Sequence, residues 1–198
     1  MNNVSKHYDL LIENGNDPVL DCKELADYMD KWDGKEFINL LNLDTSKEVL
    51  EIGCGTGRIT KKIISQCKTY VGIDISKKTI DIARKHFGNF NNAFFHNEDF
   101  LDYKTNQKYD VIYSTLTFMH IKEKVKALNN VFNLLKRNGK FVLSIDKNQQ
   151  GFIDTGYNKI IIYPDNPTSI CNILANLSFV KITIKEIEKA YIITAQRS

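Results

Sequence analysis

Val49-Leu50-Glu51-Ile52-Gly53-Cys54-Gly55-Thr56-Gly57-Arg58 decides how the chain reads. A short apolar run ends in three glycines at alternate positions, and Ile59, Ile63 and Ile64 then follow at helical spacing. That pattern is a strand, a tight turn and a helix. Glycines at such a turn let the backbone approach a ligand closely, under the positive end of the helix dipole.

Outward from this segment the same alternation continues. Tyr70-Val71-Gly72-Ile73 reads as a second strand, followed by a helix capped by Ser76, carrying Ile80, Ala83 and Phe87, and ended by Gly88. Ala93-Phe94-Phe95 and Tyr109–Tyr113 read as the third and fourth strands. A helix bearing Ile121, Val125, Leu128, Phe132 and Leu135 on one face follows, stopped by Asn138-Gly139, with Phe141–Ile145 as the fifth strand. Pro167 suits the first turn of a helix through Ala175, and the alternating runs Val180–Ile184 and Tyr191–Thr194 predict a terminal antiparallel hairpin. The expected fold is α/β: a doubly wound, mostly parallel seven-strand sheet with helices on both faces. Such sheets bind ligands beyond the carboxyl ends of their strands.

Residues 1–48 read differently, as N-terminal helices. Asp21 with Glu24 has capping-box spacing ahead of Leu25, Tyr28, Met29 and Trp32, and Asp33 with Glu36 repeats the signal ahead of Phe37, Leu40 and Leu41. We read 1–198 as one domain, a helical leader or lid over 1–46 and a ligand-binding core over 47–198. At 198 residues the chain can bury a core without disulfides or metal.

The net charge of +3 hides an asymmetry: residues 1–48 hold 5 Lys/Arg against 11 Asp/Glu, and residues 49–198 hold 22 against 13. The basic residues fall in scattered pairs, the pattern of solvated helix faces rather than a nucleic-acid patch. Cys22, Cys54, Cys67 and Cys171 form no CxxC and, with four dispersed histidines, no metal-ligand spacing. No apolar run is long enough to span a membrane, and no secretory h-region follows Met1. The expectation is a cytoplasmic protein with free thiols, no membrane partner and no metal.

Asp74 closes the second strand, 19 residues after Gly55, where a carboxylate faces the ribose hydroxyls of a bound nucleoside. The dinucleotide fingerprint needs a third glycine at position 58, which is Arg58, so nicotinamide oxidoreductase is the minor reading.

With these residues in view, Glu51-Ile52-Gly53-Cys54-Gly55-Thr56-Gly57 resembles the first motif of the class I S-adenosylmethionine-dependent methyltransferases. The resemblance runs from about residue 47 to the C-terminus. It implies S-adenosylmethionine as cofactor, with Gly53, Cys54 and Gly55 along its methionine part, Glu51 toward its amino group and Asp74 on the ribose. Ile75 would pack on the adenine, Asp99 accept from the adenine amino group beside Phe100, and Ser114 with Thr115-Leu116-Thr117 floor the pocket. Asn16-Asp17-Pro18 and Tyr28–Gly34 resemble small bacterial members.

The resemblance implies methyl transfer to a small-molecule acceptor. Alternatives are an RNA or protein acceptor, recruited by the basic body, and a cofactor-binding module without turnover. The Asn/Asp-Pro-Pro-aromatic tetrapeptide of amino-group enzymes acting on nucleobases is absent, which makes a nucleic-acid partner the lesser reading. His120 is the candidate general base, and Tyr8 and Trp32 are candidate lid contacts. Asp146 and Asn148 lack the partner acid a metal-dependent site needs. Residues 149–167, with Phe152, Tyr157, Ile160, Ile161, Ile162 and Tyr163, read as a short extra strand or flap.

Overall fold

The structure, a computed structural model, describes residues 3–154, 156 and 159–198, so Tyr157 of the flap lies outside the described residues. Three helices come first, α1 (Asn3–Glu13), α2 (Lys23–Asp33) and α3 (Lys35–Leu41). The alternating part follows as β1 (Glu48–Ile52), α4 (Thr60–Ile63), β2 (Thr69–Asp74), α5 (Lys77–Phe87), β3 (Ala93–Asn97), β4 (Tyr109–Thr115), α6 (Lys124–Leu134) and β5 (Leu135–Asp146). A small hairpin, β6 (Phe152–Asp154) and β7 (Lys159–Ile161), precedes α7 (Pro167–Asn176) and the closing strands β8 (Phe179–Glu186) and β9 (Ala190–Arg197).

Seven strands form one sheet in the order β3-β2-β1-β4-β5-β9-β8. β1 pairs in parallel with both β2 and β4, β9 runs antiparallel to β5 and β8, and the expected terminal hairpin is present. The strand order reverses at β1, and that puts the glycine turn after Ile52 at the crevice where such sheets take ligands.

Side-chain alternation sorts the core into two halves. Leu50, Ile52, Val71, Ile112, Phe141 and Leu143 face one side with α6 and α7. Val49, Tyr70, Val111, Tyr113 and Val142 face the other, where Phe37, Ile63, Ile80 and Phe87 cover them. Glu51, two residues on from Val49, shares that second face by the period-two rule.

Several local expectations give way to tertiary partners. Neither Asp21 nor Asp33 caps a helix: Cys22 and Gly34 occupy those positions, and neither side chain makes a capping bond. Asp33 is instead fully buried, in a bidentate pair with Arg58 (Nη1 to Oδ1 2.7 Å, Nη2 to Oδ2 2.5 Å). Leu25 and Tyr28 remain exposed on α2, as does Val125 on α6, so neither apolar stripe is wholly buried. α6 ends at Leu134, four residues before Asn138. Leu135 already pairs with Tyr109, and Asn138, at φ +62°, sits in a bulge that shifts the β4–β5 register. Ser178, before β8, takes φ +67°, the left-handed conformation glycine adopts most cheaply.

Ion pairs across the leader–core junction account for the charge asymmetry. Asp30 meets Lys62, Glu13 meets Lys78, Glu36 meets Lys185, and Asp17 lies 2.7 Å from His86. Lys31 reaches Glu188 at 2.7 Å, and Ser144 donates to the Trp32 carbonyl at 2.7 Å. The acidic leader is thus seated on bases of its own chain. No helix among the described residues is long and apolar enough to cross a membrane.

Candidate active site

Ile52 ends β1, and the chain turns through Gly53 (φ +76°), Gly55 (φ +54°) and Gly57 (φ +102°). These glycines differ in what surrounds them. A Cβ on Gly53 would strike Thr117, and one on Gly57 would strike the Phe87 ring, so both are packing requirements. A Cβ on Gly55 would meet nothing within 4 Å. Its backbone borders open space, as a ligand cradle requires. The neighbouring Thr56 hydroxyl is buried with no hydrogen-bond partner among the described residues.

Asp74, at the end of the adjacent strand, ties this turn to the next helix. Its Oδ2 accepts from the Gly55 amide at 2.9 Å and its Oδ1 from the Ser76 amide at 2.8 Å. Burial pushes its carboxyl above the usual aspartate range against those bonds, and nearby Asp9 adds to the rise. Asp9 itself comes from α1, where its Oδ1 accepts from the Ser76 hydroxyl (2.7 Å) and the Lys78 amide (3.1 Å) at the start of α5.

Glu51 is held from beneath. Gly72 lies beside it in the register, and a side chain there would collide with Cys54 and the Tyr70 hydroxyl. The missing Cβ lets Tyr70 donate to Glu51 Oε2 at 2.5 Å, while Tyr113, from β4, donates to the same oxygen at 2.7 Å. Burial pushes the Glu51 carboxyl up to about 7, and the two phenols and Arg58 hold it from going further. Neither phenol engages Oε1, and Glu51 lines the cavity.

That cavity measures about 1040 Å³, at the upper end of the ~300–1,000 Å³ usual for small-molecule sites. Its wall includes Glu51, Gly53, Cys54, Gly55, Asp74, Ile75, Asp99, Phe100 and His120. Ser114 is not on it: its side chain is buried in the sheet and donates to the Ile52 carbonyl at 2.8 Å, whereas Thr115, Leu116 and Thr117 do line the cavity. Asp99 Oδ1 is engaged by the Leu101 amide at 2.9 Å. Cys54 is buried, and that burial raises its thiol well above the usual value, the setting of an inert packing residue.

The leader and flap close the far side. α1 brings Tyr8, whose hydroxyl lies 2.8 Å from His120 Nε2, the rings meeting edge to face at 5.4 Å. His120 Nδ1 is buried with no partner among the described residues, and burial lowers the imidazole to about 4, so it is neutral at pH 7. Trp32 is not on the wall and packs edge-on against Tyr28. Pro18, Met29, Lys122, Lys159 and Tyr163 also line it; Pro18, Met29 and Tyr163 fall in leader and flap segments singled out from the sequence, whereas no motif marked Lys122 or Lys159. Lys122, Glu123 and Ile161 are exposed, so the cavity opens to solvent.

Residues 43–161, more than half the chain, match the family described as "Methyltransferase domain". The chain belongs to the methyltransferase-domain family. A protein of Anoxybacillus flavithermus described as an uncharacterized methyltransferase is 32% identical to this methyltransferase-domain chain over 145 residues, 64% of this chain and 67% of that protein. Malonyl-[acyl-carrier protein] O-methyltransferase 1 of Ilyobacter polytropus is 33% identical over 106 residues, 52% of this chain and 40% of that protein. The chain thus spans about half the length of most curated relatives it matches. Among solved structures, the complex of DhpI with SAH superposes with a TM-score of 0.77 at 16% identity, over 97% of this chain and 93% of that one, a likeness of fold.

Proposed function

We propose that the protein takes a methyl group from S-adenosylmethionine and transfers it to a small-molecule acceptor. The observation that carries this reading is the Gly55–Asp74 unit: a left-handed glycine bordering open space, its amide bonded to a carboxylate on the next strand, at the switch point of the sheet. The buried, unpartnered Thr56 hydroxyl and the phenol-free Oε1 of Glu51 fit a polar ligand there. Asp74 would hold the ribose hydroxyls and Glu51 the amino group. Asp99 would take the adenine amino group, with Ile75 and Phe100 against the ring and Gly53–Gly55 along the methionine chain. When bound, S-adenosylmethionine supplies a methyl group already activated by a sulfonium, so the protein's work is placement and exclusion of water.

Residues 1–46 and the β6–β7 flap then act as the lid of a single unit spanning 1–198, with α1 latched through Asp9 to the helix that follows Asp74. A cavity open to solvent favours turnover over mere retention of a ligand. Four free cysteines suit the cytoplasm.

The test is calorimetric titration of wild type and Asp74→Ala with S-adenosylmethionine and S-adenosylhomocysteine. Micromolar binding by wild type, weakened at least about tenfold in the variant, is expected, because hydrogen bonds to a charged group contribute ~1.5–3 kcal/mol each. A folded wild type that binds neither would overturn the proposal.

A further inference from the structure

We infer that the acceptor is an apolar molecule presenting a carboxylate, an oxygen nucleophile already ionised when it arrives. The inference rests on the methyl transfer proposed above and names what the same cavity accepts.

Three features of the wall away from the glycine turn lead there. The first is its apolar character: Pro18, Met29, Ile121, Ile160, Ile161 and Tyr163 supply most of it. None of the leader's carboxylates is on the lining, and five of them, Glu13, Asp17, Asp30, Asp33 and Glu36, are paired with bases of the core. A cationic acceptor therefore finds no counter-charge from the leader. Among the acids on the wall, Glu51, Asp74 and Asp99 are assigned to the donor, which leaves Glu98, next to Asp99 beyond β3, and Glu123.

The second feature is the mouth. Lys122 and Lys159 lie on the wall, each exposed, each with its ammonium over an aromatic ring: Lys122 at 6.0 Å from the Tyr163 centroid and Lys159 at 3.4 Å from that of Phe152. Neither is in an ion pair with a carboxylate among the described residues, and Glu123 is the acid that neighbours Lys122 on the wall. Placed at an apolar opening, they steer and orient an anion.

The third feature is the absence of a solvent-exposed, unengaged base among His120, Thr117 and Tyr8 on the inner wall. One nitrogen of His120 is engaged by Tyr8, and the other is buried without a partner among the described residues and without exposure to solvent. The Thr117 hydroxyl donates to the Thr115 carbonyl at 3.0 Å. Burial raises the Tyr8 phenol far above its ordinary range, which keeps it neutral. An alcohol or an ammonium would find no free base among these inner groups, and the acid left to it is Glu123 at the exposed mouth, beside Lys122. A carboxylate has none to lose: its oxygen forms the new O–C bond as the S–C bond breaks, the electron pair stays on sulfur, and anion and sulfonium end as neutral ester and thioether. Opposite charges cancel against a largely apolar wall, where their attraction is stronger than in bulk water.

The test uses the full chain saturated with S-adenosylhomocysteine, whose own binding is titrated first. Octanoate, octylamine and octanol are then titrated by calorimetry into wild type and into the Lys122→Glu/Lys159→Glu double variant. Octanoate is expected to bind wild type at least about tenfold tighter than either other probe, and to lose about tenfold in the double variant, a difference near 1.4 kcal/mol. The variant should keep the wild-type melting temperature and S-adenosylhomocysteine affinity. Octylamine or octanol binding as tightly as octanoate, no octanoate binding, or octanoate affinity indifferent to the charge reversal would each overturn the carboxylate assignment while leaving methyl transfer standing. Failure of the first titration would instead bring down the methyltransferase reading beneath it.

Discussion

Replacing Glu51 by glutamine tests whether the carboxylate beneath the cavity is as desolvated as its surroundings imply. Glu51 is 2% exposed, and burial lifts its carboxyl from an ordinary 4.5 to about 7. In the unfolded chain the same group releases its proton near 4.5. Between those values the native state holds one proton more than the unfolded state, so native stability falls as pH rises. At about 1.4 kcal/mol per pH unit the loss comes to about 3 kcal/mol, incurred between about pH 4.5 and pH 7 and constant above. The amide of the Glu51→Gln variant has no proton to lose, and its misfit to two phenol donors is a pH-independent offset. Urea unfolding of both proteins, followed by circular dichroism from pH 5 to pH 8, isolates this one group, since every other titration cancels in the difference. The variant should gain on wild type by about 2.5 kcal/mol across that range, the rest of the loss falling below pH 5. Parallel curves within about 0.5 kcal/mol would falsify the desolvation argument. Under the proposed function, saturating S-adenosylhomocysteine should flatten the slope, because an ammonium beside Oε1 favours the ionised form.

Two further outcomes follow from geometry already described. Gly55→Ala should cost only about 1 kcal/mol of stability, the left-handed backbone being its main penalty, yet weaken S-adenosylhomocysteine binding; Gly53→Ala, which drives a methyl into Thr117, should destabilise the fold itself, and thermal melts beside calorimetry separate the two. Asp33→Ala should cost about 3–5 kcal/mol, because Arg58 is left largely buried without its partner; a urea midpoint unchanged from wild type would show the pair to be dispensable.

What can be read from residues alone is what local chemistry dictates. The glycine turn and Asp74 lie 19 positions apart on adjacent strands, and strand–helix alternation with a closing hairpin leaves few other topologies. Asp33 reads as a helix cap because Asp before an apolar stretch usually is one; only the fold reveals that Arg58 stands opposite. Asn138-Gly139 reads as a helix stop for the same kind of reason, and Leu135 pairing with Tyr109 overrides it. Ser114 reads with its neighbours as pocket floor, but the period-two alternation of β4 turns it into the sheet. The phenols under Glu51, and the meeting of Tyr8 with His120, join residues 19, 62 and 112 positions apart. No spacing rule encodes such pairs.

The seating of the leader on its own chain also sets an order of events during synthesis. Lys31 pairs with Glu188, 157 residues later, and its carbonyl accepts from the Lys189 amide. At ribosomal speeds of ~5–20 residues per second, the second helix waits on the order of ten to thirty seconds for those partners to be made. Throughout that interval a surplus of carboxylates travels unpaired, a reason for the nascent segment to carry net negative charge: like-charged copies emerging along one message repel one another until each has a body of its own to sit on.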